Sequence, residues 1–494
     1  MWKDIIVIQF SFEKYALGSC HNGGNSLRKG HNITIATSYK LSQPTTKFRH
    51  IFLKELADIF DNEKTNYFEY REHPYLQIYT YNSIGFLASE KIFQNSEFQQ
   101  LLKFPEQFDL MIMEIVSTES LVYVAEHFKV PLITYTSVDA SAWSNYLVGN
   151  PAPPSCTADV LSPYTNDMTF FQRLDNTILH ILHELYLHFW TLPHHDKIAK
   201  QNFPGAPDIS EYYQKSSLML VNSDPSVCEP KPKVPGMIEI GGYHIKPLKP
   251  LPKDLEEMLN EAEHGVIYFS MGSNLRSKQM PERVLKLFLN AFSKLKETVL
   301  WKWEDEDLPG RPRNVIIKKW LPQNEILAHK NVKLFITHGG FHSTLETIYH
   351  GVPCLILPVF ADQITNAVRA VRFGYAESIN FNDLTPDEFE RALGQLLRDS
   401  KYTQVAQERS RIMRDKPMSQ KDTLTFWVDY VIRHKGAEHL KVKASLRLSW
   451  YQYILLDVIA FIIVSVLVII FTLMYILKIL KNVFSRNSLK DKNL

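Results

Sequence analysis

VIIKKWLPQNEILAHKNVKLFITHGGFHSTLETIYHGVPCLILPVFADQITN (315–366) is the stretch that decides the fold. Lys333–Thr337 is a short, largely apolar run bounded by a turn, the pattern of a buried parallel strand. Gly339 and Gly340 follow, and glycine lets a backbone turn sharply and approach a ligand closely. Ser343 then opens a helical run, Thr344–His350, stopped by Gly351 and Pro353, and Cys354–Val359 reads as a second strand. Strand, glycine turn, helix and strand predict a βαβ unit. Its helix N-terminus offers free N–H groups and the positive end of a dipole to an anion. Trp320 and Gln323 lie on a loop before a short helix, and His338 ends the first strand. Ser343 and Glu346 share a helix face, and Asp362 and Gln363 end the next strand. Open α/β sheets bind ligands at strand carboxyl ends. A ligand reaching all these groups carries an aromatic plate, a phosphate and several hydroxyls, as a nucleotide sugar does.

W..Q, HGG..S..E and DQ at this spacing resemble the donor signature of the UDP-glycosyltransferases, about eight polar or glycine positions over some fifty residues. GNPAPPSCTADVLSPYTNDMTFFQRLDN (149–176), GGYHIKPLKPLP (241–252), GVIYFSMGSN (265–274) and YQYILLDVIAF (451–461) are similar to insect members of that family. The resemblance implies an α/β, GT-B-like fold: two doubly wound Rossmann-like domains facing a cleft, plus a C-terminal transmembrane helix. It implies that Trp320 stacks on uracil and that Gln323 reaches the ribose or base edge. Ser273, His338, Gly340 and Ser343 then serve the diphosphate, Glu346 the ribose hydroxyls, and Asp362 with Gln363 the sugar. Ser343-x-x-Glu346 also spells a capping box, and Asp362 a helix cap, so both roles stay open. His342 is left as turn surface.

The implied reaction is inverting transfer of a hexose, glucose first, from a UDP-sugar co-substrate to a hydroxyl of a small lipophilic acceptor, as in detoxification. No cofactor and no metal are expected. In the family, a His after the first strand deprotonates the acceptor. One register puts Lys14 at that place and another Tyr15, while His21 falls in the following helix, where Gly23 and Gly24 weaken helicity by roughly 1 kcal/mol each. Residues 11–27 therefore read as altered relative to active family members. Glu114 and Glu119 match acidic family positions that pair with the base and are the remaining catalytic candidates, without an evident imidazole partner. The alternative is a catalytically impaired paralogue that binds UDP-sugar or partners active transferases. Self-association is left open.

The 494 residues suffice for two or three domains, and 45% hydrophobic with 22% charged residues is a globular composition. A net charge of +2 lacks the basic excess that nucleic acid requires. Four dispersed cysteines without C-x-x-C indicate neither zinc nor a disulfide framework.

The expected domains are 1–228 for the acceptor, 229–252 as a proline-rich linker, and 253–440 for UDP-sugar, with Asp415–His439 returning to the first domain. Ile5–Phe10 reads as the first strand, since the apolar run is too short for a secretory signal. His31–Thr37, Phe108–Glu114, Val130–Ser137, Leu218–Asn222, Gly265–Ser270 and Asn314–Lys318 read as further strands. Asn32-Ile-Thr fits a glycosylation pattern inside a strand, a poor acceptor position. The loop 145–176 is expected over the acceptor cleft. The helical 177–200 carries His180, His183 and His188, which need convergent ligands from elsewhere to bind metal. Residues 452–477 form an apolar run long enough to span a bilayer, followed by a basic tail, 478–494. The positive-inside rule puts that tail in the cytoplasm and the globular part in the endoplasmic-reticulum lumen. Tail-anchoring would leave the globular part cytosolic.

Overall fold

The computed structural model describes residues 3–9, 31–40, 48–59, 66–69, 73–104 and 106–490, with side chains through residue 482. Lys14, Tyr15, His21 and the glycines beside it lie outside the described residues. The chain divides into two compact units, 1–441 and 442–494.

The first unit holds two all-parallel sheets. One contains β1 (Lys3–Gln9), β2 (His31–Thr37), β3 (Phe48–Phe52), β4 (Leu110–Glu114), β5 (Leu132–Thr136), β6 (Leu218–Val221) and β7 (Met237–Glu239), in the order β3-β2-β1-β4-β5-β6-β7. The other contains β8 (Val266–Ser270), β9 (Thr298–Lys302), β10 (Val315–Lys318), β11 (Val332–Thr337), β12 (Cys354–Ile356) and β13 (Ala376–Ser378), in the order β10-β9-β8-β11-β12-β13. Both orders step outward from a central strand in two directions. Each therefore has a switch point where ligands gather at strand carboxyl ends.

Alternation within the apolar strands explains how both faces of each sheet are buried. In the first sheet Ile6, Ile8, Met111 and Met113 pack against Phe86 and Ile92 of the helix Pro74–Gln94. On the opposite face Ile5, Val7, Ile33 and Ile112 meet Leu424, Val428 and Val431 of the helix Gln420–Arg433. A helix that follows the second sheet in sequence thus closes the first. The segment expected as a linker, 229–252, supplies β7, whose Met219↔Met237 pairing extends the first sheet. Met237 is buried within a stretch broken up by prolines and lysines, so composition hid the strand. The sequon asparagine, Asn32, lies in β2 and donates its amide to Asp4.

A buried ion cluster joins the two halves. Asp139, just after β5, receives Lys231 at 2.5 Å and Arg369 of the helix Gln363–Phe373 at 3.0 Å. Burial alone would raise the Asp139 carboxyl. The two cations and the Ala140 amide outweigh it and hold the group at about 2. Thr365 on the same helix donates to the carbonyls of Val160 (2.8 Å) and Ser162 (2.5 Å).

The second unit contains the helix Leu456–Lys490, of which Leu456–Asn482 is long and apolar enough to cross a bilayer.

Asp139→Asn leaves Arg369 and Lys231 buried without their counter-charge, so a loss of about 3–5 kcal/mol is expected, read as a lower unfolding temperature. The Asp139 carboxyl is depressed, so its stabilising contribution is complete above pH ~4 and disappears as pH falls toward about 2. The difference between wild type and D139N should shrink in that window; a difference independent of pH there contradicts the ion-pair account.

Candidate active site

β11 ends in Thr337, and His338–Gly340 carry the chain into the helix Phe341–His350. The helix starts two residues before Ser343, with Gly340 at its N-cap and no side-chain cap. Ser343 therefore sits inside the first turn and cannot close the capping box that its spacing with Glu346 suggests. It instead accepts a hydrogen bond from the Gln323 amide at 3.1 Å.

His338 is buried and wedged between two glycines. A Cβ on Gly272 would lie 2.5 Å from its ring, and one on Gly340 2.4 Å. Gly272 also adopts φ +78°, which other residues avoid. This is where the sequence needs glycine, and the reason is close approach. Burial, with Lys302 nearby, pulls the His338 imidazole down to about 3, so it is neutral at physiological pH and offers one N–H. Lys302 donates to the Gly272 carbonyl at 2.5 Å and stands 5.6 Å from the Trp320 ring. Trp320 itself is 52% exposed. Ser273 is exposed on the turn after β8.

Gln323 starts the short helix Gln323–Leu327 and is held on both ends. Its carbonyl accepts from Tyr268 (3.3 Å), and its amide donates to Glu346 (2.7 Å) as well as Ser343. Gln323, expected at the ligand, here ties Glu346 and Ser343 together. Burial pushes the Glu346 carboxyl up to about 7 against the opposing Gln323 hydrogen bond. His342, expected as turn surface, is buried and packs edge-on to His244 with ring centroids 4.4 Å apart. It faces inward because the helix begins before it.

Asp362 is the N-cap of the helix Gln363–Phe373, but its side chain makes no cap hydrogen bond. It accepts from Asn366 at 2.7 Å, and burial lifts it to about 6. Gln363 accepts from the Val359 and Phe360 amides, which leaves its NH₂ to donate elsewhere.

Against these groups opens a cavity of about 370 Å³. His338, Gly340, Asp362 and Gln363 form one wall, while Ile78, Trp143, Val160 and Leu187 contribute an apolar one. Glu119 lines it and Glu114 does not. Glu114 is buried at the end of β4 with Tyr135, whose phenol is raised far above its usual range by burial and then by the Glu114 charge. Glu119 has the imidazole partner that the sequence does not reveal: His195 Nε2 lies 2.9 Å away, and His195 Nδ1 3.2 Å from Ser120. His195 comes from the helix Leu192–Asn202, distant in sequence and marked by no motif. A second pair, His183 and Asp159, stands 3.5 Å apart, with His183 on the cavity wall.

If UDP occupies this site, His338→Ala and Glu346→Ala should each weaken it by about ten- to a hundredfold while the fold survives, as loss of a buried hydrogen bond to a charged or polar group implies. Glu346 accepts best when ionised, and its carboxyl is raised. UDP affinity should therefore fall as pH drops below about 7 in the wild type and stay flat in Glu346→Gln. Titration calorimetry between pH 6 and 8 checks both; unchanged affinity in the two alanine variants removes them from the site.

The family described as UDP-glucoronosyl and UDP-glucosyl transferase matches residues 24–491. UDP-glycosyltransferase UGT5 of Dactylopius coccus is 38% identical over 455 residues, covering 90% of this chain and 86% of that protein. Human UDP-glucuronosyltransferase 1A8 is 33% identical over 390 residues, covering 79% and 72%. Among solved structures, the glycosyltransferase VinC in complex with DTDP superposes with a TM-score of 0.58 at 16% identity, over 87% of this chain and all of that one. The calicheamicin glycosyltransferase CalG4 gives 0.54 at 17%, over 87% and 98%. The architecture is that of GT-B glycosyltransferases, and the chain belongs to the UDP-glucuronosyl and UDP-glucosyl transferase family.

Proposed function

We propose that this protein transfers a hexose, glucose foremost, from UDP to a hydroxyl of a small lipophilic acceptor with inversion at the anomeric carbon. The observation that carries this reading is one cavity with two kinds of wall: His338, Asp362 and Gln363 on the second-sheet side, and an apolar surface including Ile78, Trp143 and Leu187 on the first. Polar groups there suit a sugar diphosphate, and the apolar wall suits a lipophilic alcohol or phenol.

In this reading Trp320 stacks on uracil. Glu346, aimed by Gln323, accepts from the ribose hydroxyls. Ser273, the neutral His338, Gly340 and the first turn at Ser343 face the diphosphate, and Asp362 with Gln363 grips the sugar. Donors preorganised at the diphosphate stabilise the charge that grows as UDP leaves. The acceptor oxygen attacks from the opposite side, so the product has the inverted configuration. The helix Leu456–Asn482 is taken to anchor the enzyme in the endoplasmic-reticulum membrane with the globular part lumenal. A detoxifying role follows from a lipophilic acceptor. A second reading, binding without transfer, is favoured by the absence of His at positions 14 and 15.

Full-length protein in membranes, incubated with UDP-glucose and a panel of phenols, should form β-glucosides detectable by mass spectrometry. UDP binding without any glycoside, retained in Lys14→His and Tyr15→His, selects the second reading. In intact vesicles the globular part should resist added protease until detergent is present; cleavage without detergent contradicts lumenal placement.

A further inference from the structure

We infer that His183, backed by Asp159, is the general base that takes the acceptor proton. The inference rests on the transfer reading above and names the group that reading lacks.

The pair is built from two segments. His183 lies on the helix Phe170–Tyr186, is 6% exposed, and lines the cavity. Its Nε2 faces Asp159 Oδ2 at 3.5 Å, and its ring packs against Trp143 with centroids 5.2 Å apart. Asp159 is fixed more tightly than an ordinary loop carboxylate. Its Oδ1 accepts from the Leu161 amide at 2.9 Å, and its own amide donates to Asn176 Oδ1 at 2.9 Å. Asn176, on the same helix as His183, also donates to the carbonyls of Pro154 and Thr157. The helix therefore holds the loop that holds its own histidine's partner.

That loop is also fastened to the donor side. Val160 and Ser162, just after Asp159, both accept from Thr365, two residues beyond Gln363. The imidazole–carboxylate pair is thereby attached to the helix whose first turn carries Asp362 and Gln363, the expected sugar grip. Burial alone would raise Asp159; His183, His180 and the Leu161 amide outweigh it and keep the carboxyl near 2, hence ionised at working pH.

A buried carboxylate facing one imidazole nitrogen fixes the tautomer and stabilises the imidazolium that forms when the other nitrogen accepts a proton. With Nε2 toward Asp159, Nδ1 is the nitrogen that takes it. The step balances simply. The acceptor O–H bond breaks and its proton passes to Nδ1. The oxygen pair forms the bond to the anomeric carbon, and the bond from that carbon to the UDP oxygen breaks, UDP leaving with the electron pair. The imidazolium then returns its proton to water. Catalytic contacts in a ligand-free enzyme are often looser than in the complex, so 3.5 Å is compatible with the role. Glu119 is a competing base on this cavity wall, with His195 2.9 Å from its carboxylate.

The test uses full-length protein in membranes with UDP-glucose and two acceptors, phenol and the more acidic 4-nitrophenol. His183→Gln should lower kcat/KM for phenol by roughly 10²–10⁴-fold, the usual worth of general-base catalysis. The loss should be much smaller for nitrophenol, which needs less help to ionise, and UDP affinity should not change. Asp159→Asn should show a weaker loss with the same acceptor dependence. Added imidazole should restore part of the phenol rate to His183→Ala. Equal losses on both acceptors without imidazole rescue mark His183 as structural and overturn the inference, as does an undiminished rate in His183→Gln. Acceptor-dependent loss in Glu119→Gln but not His183→Gln assigns the base to Glu119 instead. A wild type that binds UDP and makes no glycoside overturns the transfer reading and this inference with it.

Discussion

The structure depends on the close approach of two backbone turns to one imidazole. The turns at Gly272 and Gly340, one after β8 and one before the helix Phe341–His350, press on the two sides of His338 with no room for a Cβ on either. Two adjacent parallel strands, β8 and β11, deliver those turns to the same sheet edge. Because the ring is enclosed, it stays neutral and has little room to turn. The ring thus has a fixed orientation before any ligand arrives, and preorganisation of this kind is what makes a hydrogen-bond donor effective on a developing charge.

Around this centre the polar residues are ordered by one another rather than by solvent. Tyr268 holds Gln323, Gln323 holds Glu346 and Ser343, and Asn366 holds Asp362. Two carboxyls, the buried Glu346 and the half-buried Asp362, are left with raised proton affinity, a state that hydroxyl donors from a ribose or a sugar would relieve. The opposite wall depends on the elements around the first sheet, held by the Asp139–Arg369–Lys231 cluster and by Thr365. A shift at that junction would move the Val160 and Ser162 carbonyls, and with them the apolar wall, relative to His338, Asp362 and Gln363.

Much of this was legible in the chain because the signals were local. Strands such as His31–Thr37 and Lys333–Thr337 declare themselves as apolar runs ended by turns, and parallel sheets need such runs since both faces are covered. The residues expected at the donor, Ser273 apart, share a fifty-residue stretch, so their spacing could be read together. Helix onset was less legible. Ser343 is a good capping residue, but tertiary packing of buried Phe341 and His342 extends the helix back to Gly340. β7 escaped notice because its three residues sit among prolines and lysines. The His195–Glu119 and His183–Asp159 pairs were not readable at all. Each joins residues on different elements whose meeting is set by how helices fold over the first sheet, and an isolated histidine on an aromatic helix carries no mark of its partner.

The most direct measurement is the structure of the protein bound to UDP. The account predicts the diphosphate at the start of the helix Phe341–His350 within hydrogen-bond reach of His338, uracil flat on Trp320, and ribose hydroxyls on Glu346. UDP bound away from this turn, or Trp320 and Glu346 turned from the ligand, would contradict it.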